Sequence, residues 1–190
     1  MLDVRQLGLE GVGEIAPKRF QDPRGFFSET YNSKAMAQAG IGSAFVQDNH
    51  SYSAAAGVLR GLHYQLAPKA QGKLIRVVRG RILDVAVDIR RGSKTFGRWV
   101  SVEISAEKWN QVFVPPGFAH GFVTVEPDTE VIYKVTEFYS PEHDRSIRYD
   151  DPDIGIKWPM SGSKLQLSDK DRQAPFLRDA EVFELEKAGL

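Results

Sequence analysis

Two stretches of the chain decide the fold: Gly57-Val-Leu-Arg-Gly-Leu-His-Tyr-Gln65 and, further on, Pro115-Pro-Gly-Phe-Ala-His120. Between and after them, residues 73–78, 83–89, 99–104, 111–114 and 130–135 are rich in Val, Ile and Leu, and several alternate apolar with polar side chains. Glycine and proline separate these segments, as in turns between strands. Many short strands joined by turns favour an all-β barrel or sandwich.

The two opening stretches resemble the paired motifs of cupins, which are antiparallel barrels that usually hold a metal ion. Gln65 stands where such a cupin has its second metal-binding His, and Lys73 stands where it has a Glu ligand. Because divalent metals need His, carboxylate or thiolate donors, an ammonium group opposes their binding. The sequence therefore predicts an all-β cupin or jelly-roll antiparallel barrel, with no metal site and a few short peripheral helices. The positions that match are Gly57, His63, Pro115, Gly117 and His120.

Composition limits the class of protein. A chain of 190 residues with 42% apolar residues suits one domain, which we expect to span residues 1–190, with a barrel core at about 43–150 and a short helical region at about 160–190. Lys plus Arg and Asp plus Glu both number 25, so no general affinity for nucleic acid follows. Cysteine is absent, which excludes disulfides and zinc–thiolate sites. No signal-like or membrane-length apolar run is present, and the sequence predicts a cytoplasmic protein without membrane contact.

Helical patterns are few. Ser33 is a candidate N-cap for a short helix that ends at Gly40, because serine oxygens accept bonds from the first helical N–H groups and glycine suits the C-terminal end. Residues 179–188 place Val182, Phe183 and Leu185 among acidic residues, which predicts a short terminal helix.

Strand alternation predicts the chemistry of the barrel interior. His63 and Gln65 share one strand face; Lys73 shares a face with Ile75, and Tyr133 shares one with Val131. If these faces point inward, the interior holds His63, Lys73, His120 and Tyr133 against an apolar wall. A base, two cationic or hydrogen-bond-donating groups and a phenol suit removal of a proton next to a carbonyl, stabilisation of the enolate and return of a proton.

Long ordered stretches from about residue 15 to residue 175 further resemble one family, the dTDP-4-dehydrorhamnose 3,5-epimerases, which are cupins of nucleotide-sugar metabolism. The matching stretches include Asp22-Pro-Arg-Gly-Phe-Phe-Ser-Glu29, Phe45-Val-Gln-Asp-Asn-His-Ser51, Gly72-Lys-Leu-Ile-Arg-Val-Val-Arg-Gly80, Asp151-Pro-Asp-Ile-Gly-Ile-Lys-Trp-Pro159 and Leu167-Ser-Asp-Lys-Asp171. The resemblance implies a cofactor-free isomerase that inverts C3 and C5 of dTDP-4-dehydro-6-deoxy-D-glucose, both activated by the C4 ketone.

The resemblance also implies roles for the catalytic residues. His63 would be the base, with Asp171 fixing its tautomer and Asp84 a weaker candidate for the same task. Lys73 and His120 would stabilise the enolate oxygen. Tyr133 would return a proton from the opposite ring face, which inverts the carbon.

Substrate binding is implied for a wider set of residues. Basic groups would hold the pyrophosphate, Tyr139 would stack on the thymine, and the segment from Arg24 to Glu29 would reach the pocket of a neighbouring subunit, so a homodimer is expected. Asp144 stands where the family often has Glu. The implied binding residues are Arg24, Phe27, Glu29, Gln47, Asp48, Asn49, Arg60, Lys73, His120, Tyr139, Asp144 and Lys170.

One feature of strand geometry and three other functions stay open at the level of sequence. Arg60 has the opposite strand parity to His63, so it reaches the same pocket only if a bulge or twist occurs at Gly61. The other functions are an epimerase that acts at C3 or C5 alone, a non-catalytic sugar-binding cupin, and a metal-dependent cupin oxygenase. The missing ligands argue against the last, and a base with an opposed acid argues against the binding module.

Overall fold

The computed structural model describes residues 2–160 and 162–185, and within them the chain is mostly β-structure. The two short helices are α1 (Ser33–Gln38) and α2 (Asp169–Gln173), and single 3-10 turns occupy Gly162–Lys164 and Leu177–Asp179. The strands are β1 (Asp3–Gln6), β2 (Gly13–Ala16), β3 (Phe20–Asp22), β4 (Gly25–Phe27), β5 (Gln47–Ser53), β6 (Leu59–Gln65), β7 (Lys73–Arg79), β8 (Arg81–Asp88), β9 (Arg90–Arg91), β10 (Trp99–Ser105), β11 (Gln111–Val114), β12 (Phe118–Thr124), β13 (Thr129–Val135), β14 (Asp144–Ser146) and β15 (Phe183–Glu184).

Two antiparallel sheets form the body of the fold. One has six strands in the order β1-β2-β11-β7-β13-β5, and the other has five in the order β10-β8-β12-β6-β14. Consecutive strands of the chain often belong to different sheets, as in a jelly roll. The hairpin β3–β4 stands apart from both sheets, and β15 pairs in parallel with β9.

The interior between the sheets holds one apolar cluster to which both contribute. Ile75, Val77 and Val131 come from the six-stranded sheet, and Ala86 and Phe122 come from the five-stranded sheet. Tyr133 packs against this cluster. The inward faces predicted for β7 and β13 are therefore confirmed.

The outer faces of both sheets are also covered. Val85 and Val87 of β8 pack outward against Ile154, Leu177 and Phe183, so the segment after the barrel shields the five-stranded sheet. On the six-stranded sheet, α1 provides the cover with Met36. Burial on both faces explains why β8 reads as an almost continuous apolar run.

A bulge interrupts β6 at Gly61. His63 lies opposite His120 on β12, but Arg60 lies opposite Phe122, so β6 has one more residue than β12 between these two pairs. Gly61 has φ +142°, and a Cβ there would lie 2.5 Å from the Cα of Gly121. The bulge reverses the parity of Arg60 relative to His63, which confirms the geometry that the sequence required for Arg60 to face the same cavity.

Two expectations about helices are corrected. Asn32, not Ser33, is the N-cap of α1, and its Oδ1 accepts from the N–H groups of Lys34 and Ala35. Asparagine caps a helix as well as serine does, so residue type alone does not decide between these two neighbours. The helix ends at Gln38, shortly before Gly40.

The second correction is at the C-terminal end. Within the expected helix 179–188, Phe183–Glu184 is a strand paired with β9, because burying Phe183 against the outer face of the five-stranded sheet outweighs the local helical pattern. Residues 186–188 of that helix lie outside the described residues.

Candidate active site

A cavity of about 370 Å³ opens between the two sheets, and we call it the first cavity. His63 and His120 enter it from β6 and β12 of the five-stranded sheet, whereas Lys73 and Tyr133 enter from β7 and β13 of the six-stranded sheet. The four polar groups therefore face one another across the barrel. The remaining lining is Ser51, Val58, Leu59, Arg60, Phe122, Gln166, Leu167, Ser168 and Asp171.

His63 forms a close pair with Asp171. The Nε2 atom of His63 lies 2.5 Å from Oδ1 of Asp171, which is buried in the first turn of α2. Burial alone would raise the pKa of Asp171, but the hydrogen bond and charge of His63, with further bonds from Ser168 and the Gly61 N–H, leave its pKa lowered. An ionised Asp171 accepts the Nε2 proton, which leaves Nδ1 of His63 free to take a proton from a ligand.

A second His–Asp pair lies beside the first. Asp84 Oδ2 is 2.8 Å from His120 Nε2, and both side chains are almost fully buried. The resemblance makes Asp84 the weaker candidate for orienting His63, but its position on β8 puts it opposite Phe122 and within reach of His120 instead. Sequence reasoning did not foresee this pairing, since it depends on how β8 and β12 align.

Lys73 is a buried cation that faces the cavity. The residue is only 8% exposed, and its Nζ donates to the backbone carbonyl of His63 at 3.1 Å. Burial lowers the pKa of Lys73 to about 8, although the nearby carboxylates of Asp144 and Asp84 oppose this change. At neutral pH the group is mostly protonated and has only partial compensation for its charge, so it can stabilise an anion in the cavity.

Tyr133 supplies an un-ionised phenol on the opposite sheet from His63. Burial raises the pKa of Tyr133; the charge of Arg60 lowers it and that of Asp144 raises it further. The hydroxyl therefore keeps its proton at neutral pH and can donate it.

A second cavity, also of about 370 Å³, adjoins the first and shares His63, Lys73 and Tyr133 with it. Lys170 and Asp144 form an ion pair on its wall, and the Tyr139 hydroxyl lies 3.4 Å from Asp144. The Tyr139 ring is 58% exposed, which leaves a face free for stacking. Predicted binding residues found here are Gln47, Asn49, Tyr139, Asp144 and Lys170.

Four predicted binding residues lie outside both cavities of their own chain. Arg24, Phe27 and Glu29 belong to or follow the exposed hairpin β3–β4, where Arg24 pairs with Asp22. Asp48 alternates with Gln47 and Asn49 on β5, so it points away from the second cavity and its Oδ2 accepts from Lys134 Nζ at 3.0 Å. The structure thus places eight of the twelve predicted binding residues at the two cavities and leaves these four on the surface.

Ser51 lines the first cavity and was missed at the level of sequence. Its hydroxyl is buried and has no hydrogen-bond partner among the described residues, so it is available to a bound ligand. The signal was present, because Gln47, Asn49 and Ser51 share one face of β5.

The donor set does not fit the metal that many cupins hold. The side-chain amide of Gln65 is hydrogen-bonded to backbone groups, and Lys73 presents an ammonium group where a carboxylate ligand would be needed. Across residues 2–160 and 162–185, no three His, Cys, Asp or Glu side chains are grouped so that they could hold a metal ion. In the same part of the chain, no helix has the length and apolar character needed to cross a membrane.

Fold and cavity together define a jelly-roll cupin whose barrel carries acid–base side chains at positions where metal ligands would stand. The family model for dTDP-4-dehydrorhamnose 3,5-epimerase matches residues 6–179. The chain is 51% identical over 179 residues to the dTDP-4-dehydrorhamnose 3,5-epimerase of Pseudomonas aeruginosa, covering 94% of this chain and 97% of the relative. The chain belongs to the dTDP-4-dehydrorhamnose 3,5-epimerase family.

Solved structures agree with this membership. A dTDP-6-deoxy-D-glucose-3,5-epimerase from Legionella pneumophila, crystallised with dTDP-4-keto-L-rhamnose, superposes with a TM-score of 0.92 at 43% identity, covering 97% of this chain and 98% of the other. A 3'-monoepimerase from Streptomyces bikiniensis in complex with dTDP-quinovose superposes with a TM-score of 0.84 at 37% identity, covering 90% and 86%.

Proposed function

We propose that this chain is a dTDP-4-dehydrorhamnose 3,5-epimerase, which converts dTDP-4-dehydro-6-deoxy-D-glucose to dTDP-4-dehydro-L-rhamnose. The observation that carries the proposal is the placement of the His63–Asp171 pair on one sheet wall of the first cavity and Tyr133 on the facing wall. A base and an acid on opposite walls can work on opposite faces of a sugar ring held between them.

His63 starts each inversion by removing the proton from the carbon next to the C4 ketone. The electrons of the C–H bond form a double bond between that carbon and C4, and the C4 oxygen takes the negative charge of the resulting enolate. Lys73 and His120, one from each sheet, donate to that oxygen. Because the cavity wall is largely apolar, these electrostatic contacts are stronger than they would be in water.

Tyr133 completes the inversion by donating its phenol proton to the same carbon from the opposite face. The high pKa of Tyr133 keeps the acid loaded before the step. His63 then holds one proton more and Tyr133 one fewer, and exchange with solvent restores both. The reaction is a redistribution of protons without net oxidation or reduction, so no redox cofactor is required.

The nucleotide occupies the second cavity in this proposal. Lys170 of the second cavity and Arg60 of the adjoining first cavity hold the pyrophosphate. Gln47 and Asn49 help to place the nucleotide and sugar, and Tyr139 stacks on the thymine ring. His63, Lys73 and Tyr133 line both cavities, so a nucleotide bound in the second places its sugar against the catalytic groups.

A homodimer is part of the proposal. The hairpin β3–β4 exposes Phe20, Phe26 and Phe27, with Phe27 70% exposed, and carries Arg24 away from the cavities of its own chain. Apolar side chains exposed together favour an interface. The arrangement supports donation of Arg24, Phe27 and Glu29 to the cavity of a second copy. Within each copy, we infer one domain, because the segment after the barrel buries the outer face of the five-stranded sheet.

Deuterium exchange followed by NMR tests the proposed reaction. The protein is mixed with dTDP-4-dehydro-6-deoxyglucose in deuterated water containing EDTA. Deuterium at both C3 and C5, absent with His63→Ala, is the expected result. Exchange at one carbon alone would move the assignment to a single-site epimerase, and no exchange at either would contradict the enzymatic proposal for this substrate.

A further inference from the structure

Gln65 stands at the position of a metal-binding His in the cupin motif, but the motif does not explain the hydrogen bonds that its side chain makes. It ends β6 and is 3% exposed, so its amide is removed from water and needs partners. It finds them in backbone groups. Its Nε2 donates to the carbonyls of Lys69 at 2.6 Å and Phe138 at 3.2 Å, and its Oε1 accepts from the N–H of Ser140 at 2.9 Å.

Two further glutamines hold the same short segment, residues 137–140. Gln71 Nε2 donates to the Glu137 carbonyl at 2.8 Å, and Gln47 Oε1 accepts from the Tyr139 N–H at 3.0 Å. With Gln65, these side chains bond three consecutive peptide groups, the ones that flank and include Tyr139. We call Gln47, Gln65 and Gln71 the glutamine clamp.

The two aromatic rings of the held segment contribute little to its anchoring. Phe138 and Tyr139 are 59% and 58% exposed, so neither ring secures the loop by packing into the core. The glutamine clamp holds its backbone together with two local contacts: the Glu137 carboxylate accepts from the Phe138 N–H, and the Ser140 carbonyl accepts from the N–H groups of His143 and Asp144. An exposed aromatic ring on a fixed backbone loses less conformational entropy when a ligand stacks on it than a ring on a mobile loop does.

We propose that Gln65 is a positioning residue that orders residues 137–140 and so presents Tyr139 to the nucleotide before it arrives. The inference rests on the proposed function, in which Tyr139 stacks on thymine. Gln65 itself acts through the backbone of Tyr139 and Ser140. An amide that replaces a metal ligand thus serves nucleotide binding, not the proton transfers.

A double-mutant cycle with dTDP as the probe tests this role. Met has nearly the size of Gln but no hydrogen-bonding amide, so Gln65→Met removes the three bonds and keeps the volume. We expect Gln65→Met to raise the Kd for dTDP about tenfold, and to raise it less than about twofold when Tyr139→Ala is already present. Gln38→Met, at an exposed position of α1, is the matched control and leaves the Kd unchanged.

Kinetics and hydrogen exchange give readouts that a general loss of stability would not produce. We expect KM to rise with Kd while kcat falls less than about threefold, since binding energy common to ground and transition states is removed. The Ser140 amide should exchange faster in Gln65→Met, with the amides of β12 unchanged. A Kd that does not change, or one that rises equally with and without Tyr139→Ala, would overturn the inference.

A second variant covers the case in which Gln65→Met does not fold. Gln71 is only half-buried, and Gln71→Met removes a single bond to the Glu137 carbonyl. It should weaken dTDP binding about threefold and lose this effect beside Tyr139→Ala; equal weakening in both backgrounds, or none, contradicts the clamp. Wild-type protein that binds dTDP but gives no deuterium exchange would refute the proposed reaction alone, whereas failure to bind dTDP would refute both.

Discussion

His63 and Asp171 are 108 positions apart in the sequence and 2.5 Å apart in the fold. The contact forms because Ser168 caps α2 with its hydroxyl on the Asp171 N–H, which places that carboxylate in the first turn facing β6. A buried carboxylate that accepts the Nε2 proton leaves Nδ1 as the nitrogen of His63 that can serve as the proposed base.

Asp171→Asn should lower the rate of deuterium exchange at C3 and C5 at least about 100-fold, because an amide can bond His63 as a donor and favour the wrong tautomer. The measurement is exchange followed by NMR, with dTDP affinity recorded in parallel and expected to stay within about threefold. Asp150→Asn is the control, since Asp150 is bound by Arg148 at the surface. Equal exchange rates in both variants would remove Asp171 from the mechanism.

Lys73 is held in a charged form at a cost to stability, which is common at active sites. Its pKa falls from an ordinary value of 10.5 to about 8. Below pH 8 both the folded and the unfolded protein carry the charge, so the full cost of burying it is present. Between pH 8 and 10.5 the unfolded state binds more protons, and the free energy of unfolding therefore rises with pH through this window.

Lys73→Met should abolish exchange and raise the free energy of unfolding at pH 7 by about 2 kcal/mol, since a buried charge with only partial compensation is replaced by an apolar group of similar length. Urea unfolding at several pH values measures this, and the advantage of the variant should shrink from pH 8 to 10.5. Lys157→Met, at an exposed position, should show no such pH-dependent gain. A variant less stable than wild type at pH 7 would contradict this account of Lys73.

At the scale of the element, the bulge in β6 decides which side chains reach the first cavity. Arg60 and His63 both line it because β6 carries one residue more than β12 at Gly61. The neighbouring β12 comes so close that only glycine fits on either side: a Cβ on Gly121 would lie 2.9 Å from the Arg60 carbonyl. Strand alternation in the sequence predicts that Arg60 points away from His63, and only the pairing of β6 with β12 shows that both face the first cavity.

Gly61→Ala should destabilise the fold by about 3 kcal/mol and remove the activity, because the added Cβ meets the Gly121 backbone and φ +142° strains an alanine. Urea unfolding and deuterium exchange are the measurements. Gly42→Ala is the matched control, since a Cβ there meets nothing within 4 Å, and it should change stability by less than about 0.5 kcal/mol. Similar stabilities for the two variants would show that the close approach at Gly61 is relaxed in solution.

At the scale of the whole molecule, the exposed hairpin β3–β4 is the feature that a single copy leaves unexplained. Its phenylalanines lie outside the core, and its Arg24 is paired only with Asp22 in the described structure of one chain. A second copy would give both a place, in keeping with the symmetry of most oligomers.

Mixing two inactive variants tests whether the hairpin serves the partner's cavity. Arg24→Ala and His63→Ala should each be nearly inactive, and after mixing and re-equilibration about a quarter of wild-type activity should return, because half of the dimers are mixed and each has one intact site. The activity is the rate of deuterium exchange, and light scattering gives the molar mass of the protein in the same samples. Mixtures of Arg24→Ala with Arg24→Ala,His63→Ala stay inactive as the control. A monomeric mass for the wild-type protein, or no recovery of activity on mixing, would contradict the donation of Arg24 to the cavity of a second copy.

The sequence by itself determined the class of fold and the four polar side chains that face one another in the first cavity. Alternation along β7 and β13 is a local property, because neighbouring side chains on a strand must point to opposite faces, and it was enough to put Lys73 and Tyr133 inside the barrel. The motif positions likewise identified His63 and His120 and showed that a metal-ligand set was incomplete.

Only the tertiary structure decided which groups act together. Which carboxylate meets which histidine depends on strand register and on where α2 lies, so Asp84 went to His120 and Asp171 to His63. The glutamine clamp joins the start of β5, the end of β6 and the loop after β6 to residues 137–140, which are distant from them in sequence. The strand at Phe183 exists because it covers an apolar sheet face. These contacts arise from burial and packing between remote segments, which local sequence patterns do not encode.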